Sequence, residues 1–93
     1  MERAGLTRDD LLVLLVEECG EVIQAATKCL RFGWPRDMPG YGTNNVVLAS
    51  EVGDLLAVVE ALRLDQRALT LARDGKIEKA EMAKAKFGRD LTS

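Results

Sequence analysis

The chain has 93 residues, enough for one small domain and no more. Hydrophobic side chains make up 47% of it and charged ones 30%, a globular balance rather than a disordered one. A net charge of −2 argues against a broad basic surface for nucleic-acid polymers, and the lack of histidine leaves proton transfer and metal ligation to other groups.

The opening MERAGLTRDD does not have the shape of a signal peptide, because acidic residues directly precede the apolar run. That run is also too short to span a bilayer, so a cytoplasmic protein away from membranes is expected. Thr7 and Asp10 fit a capping box, with Leu6 and Leu11 placed as a hydrophobic staple. Apolar residues then recur at Leu11, Leu14, Leu15, Val22, Ala25, Ala26 and Cys29. This first helix should stop near Arg31, before Gly33 and Pro35. Cys19 and Cys29 both lie on it, roughly 15 Å apart along the axis, too far for a disulfide within the chain. They are expected to be buried free thiols in a reducing cytosol.

FGWPRDMPGYGTNN (32–45) holds both prolines and the only Trp and Tyr, and reads as a long loop. Thr43 or Asn44 can cap a second helix carrying Val47, Leu48, Leu55, Val58, Val59 and Leu62. Its pattern extends to Arg73, with an irregularity expected around Asp65. Gly75 suits a helix end, leaving KIEKAEMAKAKF (76–87) as a shorter third helix and RDLTS as a tail. No segment alternates convincingly as a strand. The expected fold is all-α, one domain over residues 1–93: two long helices and a shorter C-terminal one. Such a set cannot enclose its own apolar faces, and Leu12, Val13 and Val16 lie off the first helix's main stripe, so a partner subunit is expected to complete the bundle.

EECGE (17–21) interrupts the first apolar stripe, since Glu18 shares a face with Leu11, Leu14, Leu15, Val22 and Ala25. EVGD (51–54) does the same in the second helix, where Glu51 and Asp54 are flanked by Val47, Leu48, Leu55, Ala57 and Val58. Both contain acid–x–x–acid with glycine third: ECGE and EVGD. Each glycine costs about 1 kcal/mol in a helix relative to Ala. Close approach of a neighbouring helix is the expected compensation. Two such helices would point four carboxylates, Glu18, Glu21, Glu51 and Asp54, into one volume. Charges that close must be neutralised by protons or cations. All-oxygen ligands favour Mg²⁺ or Mn²⁺ over zinc, and a carboxylate-held Mg²⁺ suggests phosphate-ester or anhydride chemistry. Either motif alone reads equally as a solvated acidic face. The doubling on two apolar stripes favours a cation site.

EECGE followed by EVGD resembles the E-E-x-x-E … E-x-x-D signature of the all-α nucleoside triphosphate pyrophosphohydrolases, the MazG-like group. The resemblance covers about residues 7–91, with KAKFGRDL similar to the group's basic–aromatic terminal helix. It implies that Glu18, Glu21, Glu51 and Asp54 ligate Mg²⁺, with Mn²⁺ a possible substitute. Glu17 would ligate through water, or act with Glu18 in catalysis by orienting the attacking water. The implied reaction converts a (deoxy)nucleoside triphosphate to the monophosphate and pyrophosphate, in cleansing of the nucleotide pool. The implied assembly is a homo-oligomer, a tetramer as a dimer of dimers, with sites near subunit boundaries.

Beside an acidic cluster, substrate phosphates need cations of the protein's own. Lys28, two turns beyond Glu21 on nearly the same face, is the first candidate; Arg31, Lys84, Lys86 and Arg89 follow, each equally readable as a solvated side chain. Trp34, Tyr41, Asn44 and Asn45 could stack on or hydrogen-bond a base, although Trp34 reads as well as a lid or a subunit contact. Two alternatives stand beside this reading. One is hydrolysis of phosphoribosyl-ATP or dUTP by a similar carboxylate set. The other is a noncatalytic helical oligomerisation module whose acids form subunit salt bridges. Salt bridging within a helix would place a Lys or Arg one turn from each acid, and neither motif has one.

Overall fold

Thr7 starts the first helix as the spacing predicts. Its hydroxyl oxygen accepts from the Asp10 amide at 3.1 Å, and the Asp10 carboxylate accepts from the Thr7 amide at 3.0 Å. In the computed structural model, which describes residues 5–35, 37–38 and 42–87, the elements are α1 (Arg8–Phe32), β1 (Asp37–Met38), β2 (Gly42–Thr43), α2 (Asn44–Leu62) and α3 (Gln66–Phe87). The fold is all-α apart from the short antiparallel pairing of β1 and β2, in which Asp37 faces Thr43 and Met38 faces Gly42. That pairing falls inside the expected loop. Two residues per strand are too few to show alternation in a sequence. No helix among the described residues is long and apolar enough to cross a membrane.

The chain divides into two units, the first ending at Arg63 and the second beginning at Leu64. In the first, α1 and α2 pack against each other as a helical hairpin. The core is thin: Leu11, Ala25 and Ala61 are buried, and every other apolar residue of the two predicted stripes is half-buried. Leu12, Val13 and Val16 are exposed, as expected of residues off the stripe.

The most buried described residue is polar. Asn44 is 2% exposed, and its amide donates to the Gly33 carbonyl at 2.7 Å. Asn45 donates to the Trp34 carbonyl through its backbone amide at 3.0 Å and more weakly through its side chain at 3.4 Å. These bonds join the end of α1 to the start of α2. Thr43 caps α2, its hydroxyl oxygen accepting from the Val46 amide at 3.4 Å. Gly33 adopts φ 101°, a conformation that favours glycine, and donates its own amide to the Cys29 carbonyl.

Four expectations need correction. The second helix does not run to Arg73: Arg63 caps α2 in the left-handed conformation, with φ 53° and ψ 54°. Asp65 then begins α3, its carboxylate accepting from the Ala68 amide at 2.8 Å. Gly75 therefore lies inside a helix rather than at its end, and α3, at 22 residues, is longer than the 19-residue α2. Glycine weakens a helix interior without forbidding it, so the asparagine-like conformation of Arg63 and the cap at Asp65 decide the break. Cys19 is exposed rather than buried, and Cys29 is half-buried; both are free thiols. Finally, a Cβ at Gly20 or Gly53 would meet nothing within 4 Å, so neither glycine marks close approach of helices within the chain.

Candidate metal centre

Glu18 sits near the middle of the α1 stripe and Glu51 and Asp54 one turn apart on α2. The hairpin brings them together. Glu18, Glu51 and Asp54 each offer a carboxylate oxygen within 4.8 Å of the others. Glu18 and Glu51 are half-buried and Asp54 is exposed, so the cluster is walled on one side and open on another.

Glu18 carries the electrostatic load. Its Oε2 is buried with no hydrogen-bond partner. Burial raises its pKa above the ordinary value of 4.5, and the charges of Asp54, Glu51, Glu21 and Glu17 raise it further, in that order. No Lys or Arg among the described residues pairs with Glu18, Glu51 or Asp54; the ion pair found there is Arg73–Asp74, between neighbours on α3. Hydrogen-bonding partners are almost always found for buried polar oxygens. A carboxylate left unpaired among other carboxylates, with no cationic side chain paired to it among the described residues, is a group suited to a bound cation.

The donor set agrees. Opposite ligands of Mg²⁺ are roughly 4.2 Å apart, twice its bond length. Of three ligands at most one pair can be opposite, and adjacent ones lie roughly 3 Å apart, so these carboxylates, within 4.8 Å of one another, would have to turn inward to hold the ion. Three carboxylates leave further positions for water and phosphate oxygens, as Mg²⁺ usually requires.

The remaining expected site residues fall into distinct places. Glu17 and Glu21 are exposed and outside the group of three, yet both contribute to the shift of Glu18. With the exposed Lys28 they follow helical spacing along one polar stripe of α1. Trp34 is 59% exposed, its carbonyl held by Asn45. Asn44 corrects an expectation: turned inward and bonded to Gly33, it serves the fold and presents nothing to a base. Asn45 is half-buried with its side chain on the same backbone turn. Lys84 is exposed on α3, in the second unit. Tyr41, Arg89 and the side chain of Lys86 lie outside the described residues.

The buried tie at Asn44 was missed as such. Its signal was present: an Asn pair directly after a threonine cap, where α2 begins, suits hydrogen bonds to the turn before it. Compared with family models, with curated proteins and with solved structures, the chain gives no match.

Proposed function

We propose that this chain is a Mg²⁺-dependent nucleoside triphosphate pyrophosphohydrolase of the MazG-like kind, acting on (d)NTPs in nucleotide-pool house-cleaning. The observation that carries the reading is the convergence of Glu18, Glu51 and Asp54 from two helices, with an unpaired buried oxygen on Glu18. The resemblance of EECGE … EVGD to the family signature supplies the reaction.

In this reading Glu18, Glu51 and Asp54 hold Mg²⁺, or Mn²⁺ in its place, and Glu21 joins them as substrate closes the site. The ion, when bound, supplies charge compensation for phosphate oxygens and a lowered pKa for bound water. Glu17, exposed beside Glu18, orients the attacking water and takes its proton. The water oxygen forms a bond to the α-phosphorus as the α–β anhydride bond breaks, and pyrophosphate leaves with the electron pair. Lys28 contacts the leaving phosphates. Trp34, exposed at the turn after α1, stacks on a base in this reading. The bundle is completed by further copies of the chain, with a tetramer as the form the resemblance implies.

The test is pyrophosphate release from a panel of dNTPs and NTPs, including dUTP and phosphoribosyl-ATP, with and without Mg²⁺. The wild type should turn over at least one of them only with the metal, and Glu51→Gln should abolish that turnover. No turnover of any nucleotide, or turnover indifferent to Glu51→Gln, defeats the reading and leaves the noncatalytic oligomerisation module.

A further inference from the structure

Trp34, the only tryptophan of the chain, lies in the turn that follows α1 and is 59% exposed, although tryptophan is highly buried on average. Its backbone, by contrast, is held tightly. Gly33 donates its amide to the Cys29 carbonyl at 3.0 Å, and the Gly33 carbonyl accepts from the Asn44 side chain at 2.7 Å. The Trp34 carbonyl accepts from the Asn45 backbone amide at 3.0 Å and from the Asn45 side chain at 3.4 Å. Two consecutive residues are thus pinned from the end of α1 and from the start of α2. Asn44, which makes the shortest of these bonds, is itself buried, so that bond forms away from water.

A fixed backbone under an open indole is a preorganised surface. A large aromatic ring with two side-chain torsions loses little entropy when a planar ligand stacks on it, and less when its backbone is already fixed. Position points to the ligand. The bonds from Asn45 set Trp34 at the level of Asn45 on α2, and Glu51 and Asp54 follow about 9 and 13.5 Å further along the helix axis. In a nucleotide with its phosphates at the carboxylate cluster, sugar and phosphates span a stretch of that order, which brings the base to the level of Trp34. The hydrogen bonds also say how the base is read. Asn44 and Asn45 give their side-chain donors to the backbone carbonyls of Gly33 and Trp34, so neither donor is left for a base edge. The face of an indole, by contrast, accepts any base.

We infer that Asn44 and Asn45 are positioning residues, holding Trp34 as a stacking platform that reads the base of a nucleotide by its face and not by its edge. The inference rests on the nucleotide reading of the site and adds the mode of recognition, under which nucleotides with different bases bind comparably.

Tryptophan emission of the full chain comes from Trp34 alone, so fluorescence tests the platform directly. The probes are nucleoside monophosphates with Mg²⁺, which have no anhydride bond to hydrolyse. AMP, GMP, CMP and UMP should each quench the emission, with dissociation constants within about tenfold of one another. Ribose 5-phosphate, which lacks a base, should not quench. By calorimetry, Trp34→Ala should weaken AMP binding about 5- to 150-fold, and Trp34→Phe less. Asn44→Ala should lower the anisotropy of Trp34 emission and weaken AMP binding severalfold, with helical circular dichroism unchanged. Asn45→Ala, which loses only the longer bond, should do the same to a smaller degree, and it carries this arm if Asn44→Ala does not fold. A folded wild type whose emission no nucleotide changes overturns the inference, and turnover by that same protein would leave the catalytic reading standing. Quenching without turnover upholds the platform and defeats the catalytic reading. A spread between bases beyond about tenfold, as in sites that hydrogen-bond their ligand, overturns reading by the face. Anisotropy and affinity unchanged in the folded asparagine variants overturn the positioning role.

Discussion

Glu18 on α1 and Asp54 on α2 bring carboxylate oxygens within 4.8 Å of each other across the helix hairpin, with Glu51 completing the group. Two like charges at about 4 Å repel by roughly 4 kcal/mol at the effective dielectric of a protein surface. No positive side chain among the described residues relieves them. The hairpin therefore stores repulsion at its centre, and any cation that fits there gains what the hairpin loses.

Mg²⁺ and Mn²⁺ should accordingly stabilise the fold. A site filled at about 100 times its dissociation constant contributes roughly 2.7 kcal/mol. Thermal unfolding with and without either metal measures this. The rise in Tm should fall in both Glu51→Gln and Asp54→Asn, each of which leaves two of the three carboxylates, and should fall further for the half-buried Glu51 than for the exposed Asp54. An equal rise in all three proteins would place the metal elsewhere.

Stability of the metal-free protein should fall as pH rises because of Glu18. Below about pH 4.5 its carboxyl is protonated in both folded and unfolded chains and contributes no difference. Above that value the unfolded chain releases the proton first, because the folded pKa is raised, so rising pH favours unfolding. The loss is complete once pH has passed the folded pKa. Glu18→Gln removes this dependence: it should raise the Tm of the metal-free protein near neutral pH and leave it little changed in acid. The same substitution should remove metal-dependent stabilisation. Denaturation of both proteins across pH 4–8, as a difference, isolates the effect from the other carboxylates.

The hairpin and its carboxylates were legible in the sequence for a simple reason. Helical periodicity is visible in residue spacing, and Glu18, Glu51 and Asp54 stood out because they broke it. Thr7 and Asp10 announced the start of α1 through short-range hydrogen bonds that need no tertiary context. The irregularity expected around Asp65 is where α2 gives way to α3, but that it ends the helix outright was not legible. It rests on Arg63 taking a left-handed conformation that few non-glycine residues adopt, while Gly75 offered a more conventional signal and was passed over. Asn44 was misread because its pattern, an amide in a loop, fits a ligand contact as well as a buried tie. Only its 2% exposure separates them.

That tie should be costly to remove. Asn44→Leu keeps the branched shape and the number of side-chain heavy atoms but leaves the Gly33 carbonyl without its donor at the α1–α2 junction. An unsatisfied buried carbonyl costs about 1–3 kcal/mol. Urea unfolding should show a loss in that range. Asn45→Ala should lose less, because its main contact, the backbone amide to Trp34, survives the substitution. Equal losses would show that the two asparagines share one role.

Gly53→Ala should stabilise the chain. Gly53 lies inside α2, where glycine costs about 1 kcal/mol against alanine in backbone entropy. The added Cβ meets nothing within 4 Å, so no packing is disturbed in exchange. No Glu18 atom lies within 4 Å of that added Cβ. The expected gain is about 0.5–1 kcal/mol by chemical denaturation, with the metal-dependent rise in Tm intact. Gly20→Ala, inside α1 and likewise with nothing within 4 Å of the added Cβ, should stabilise by the same argument.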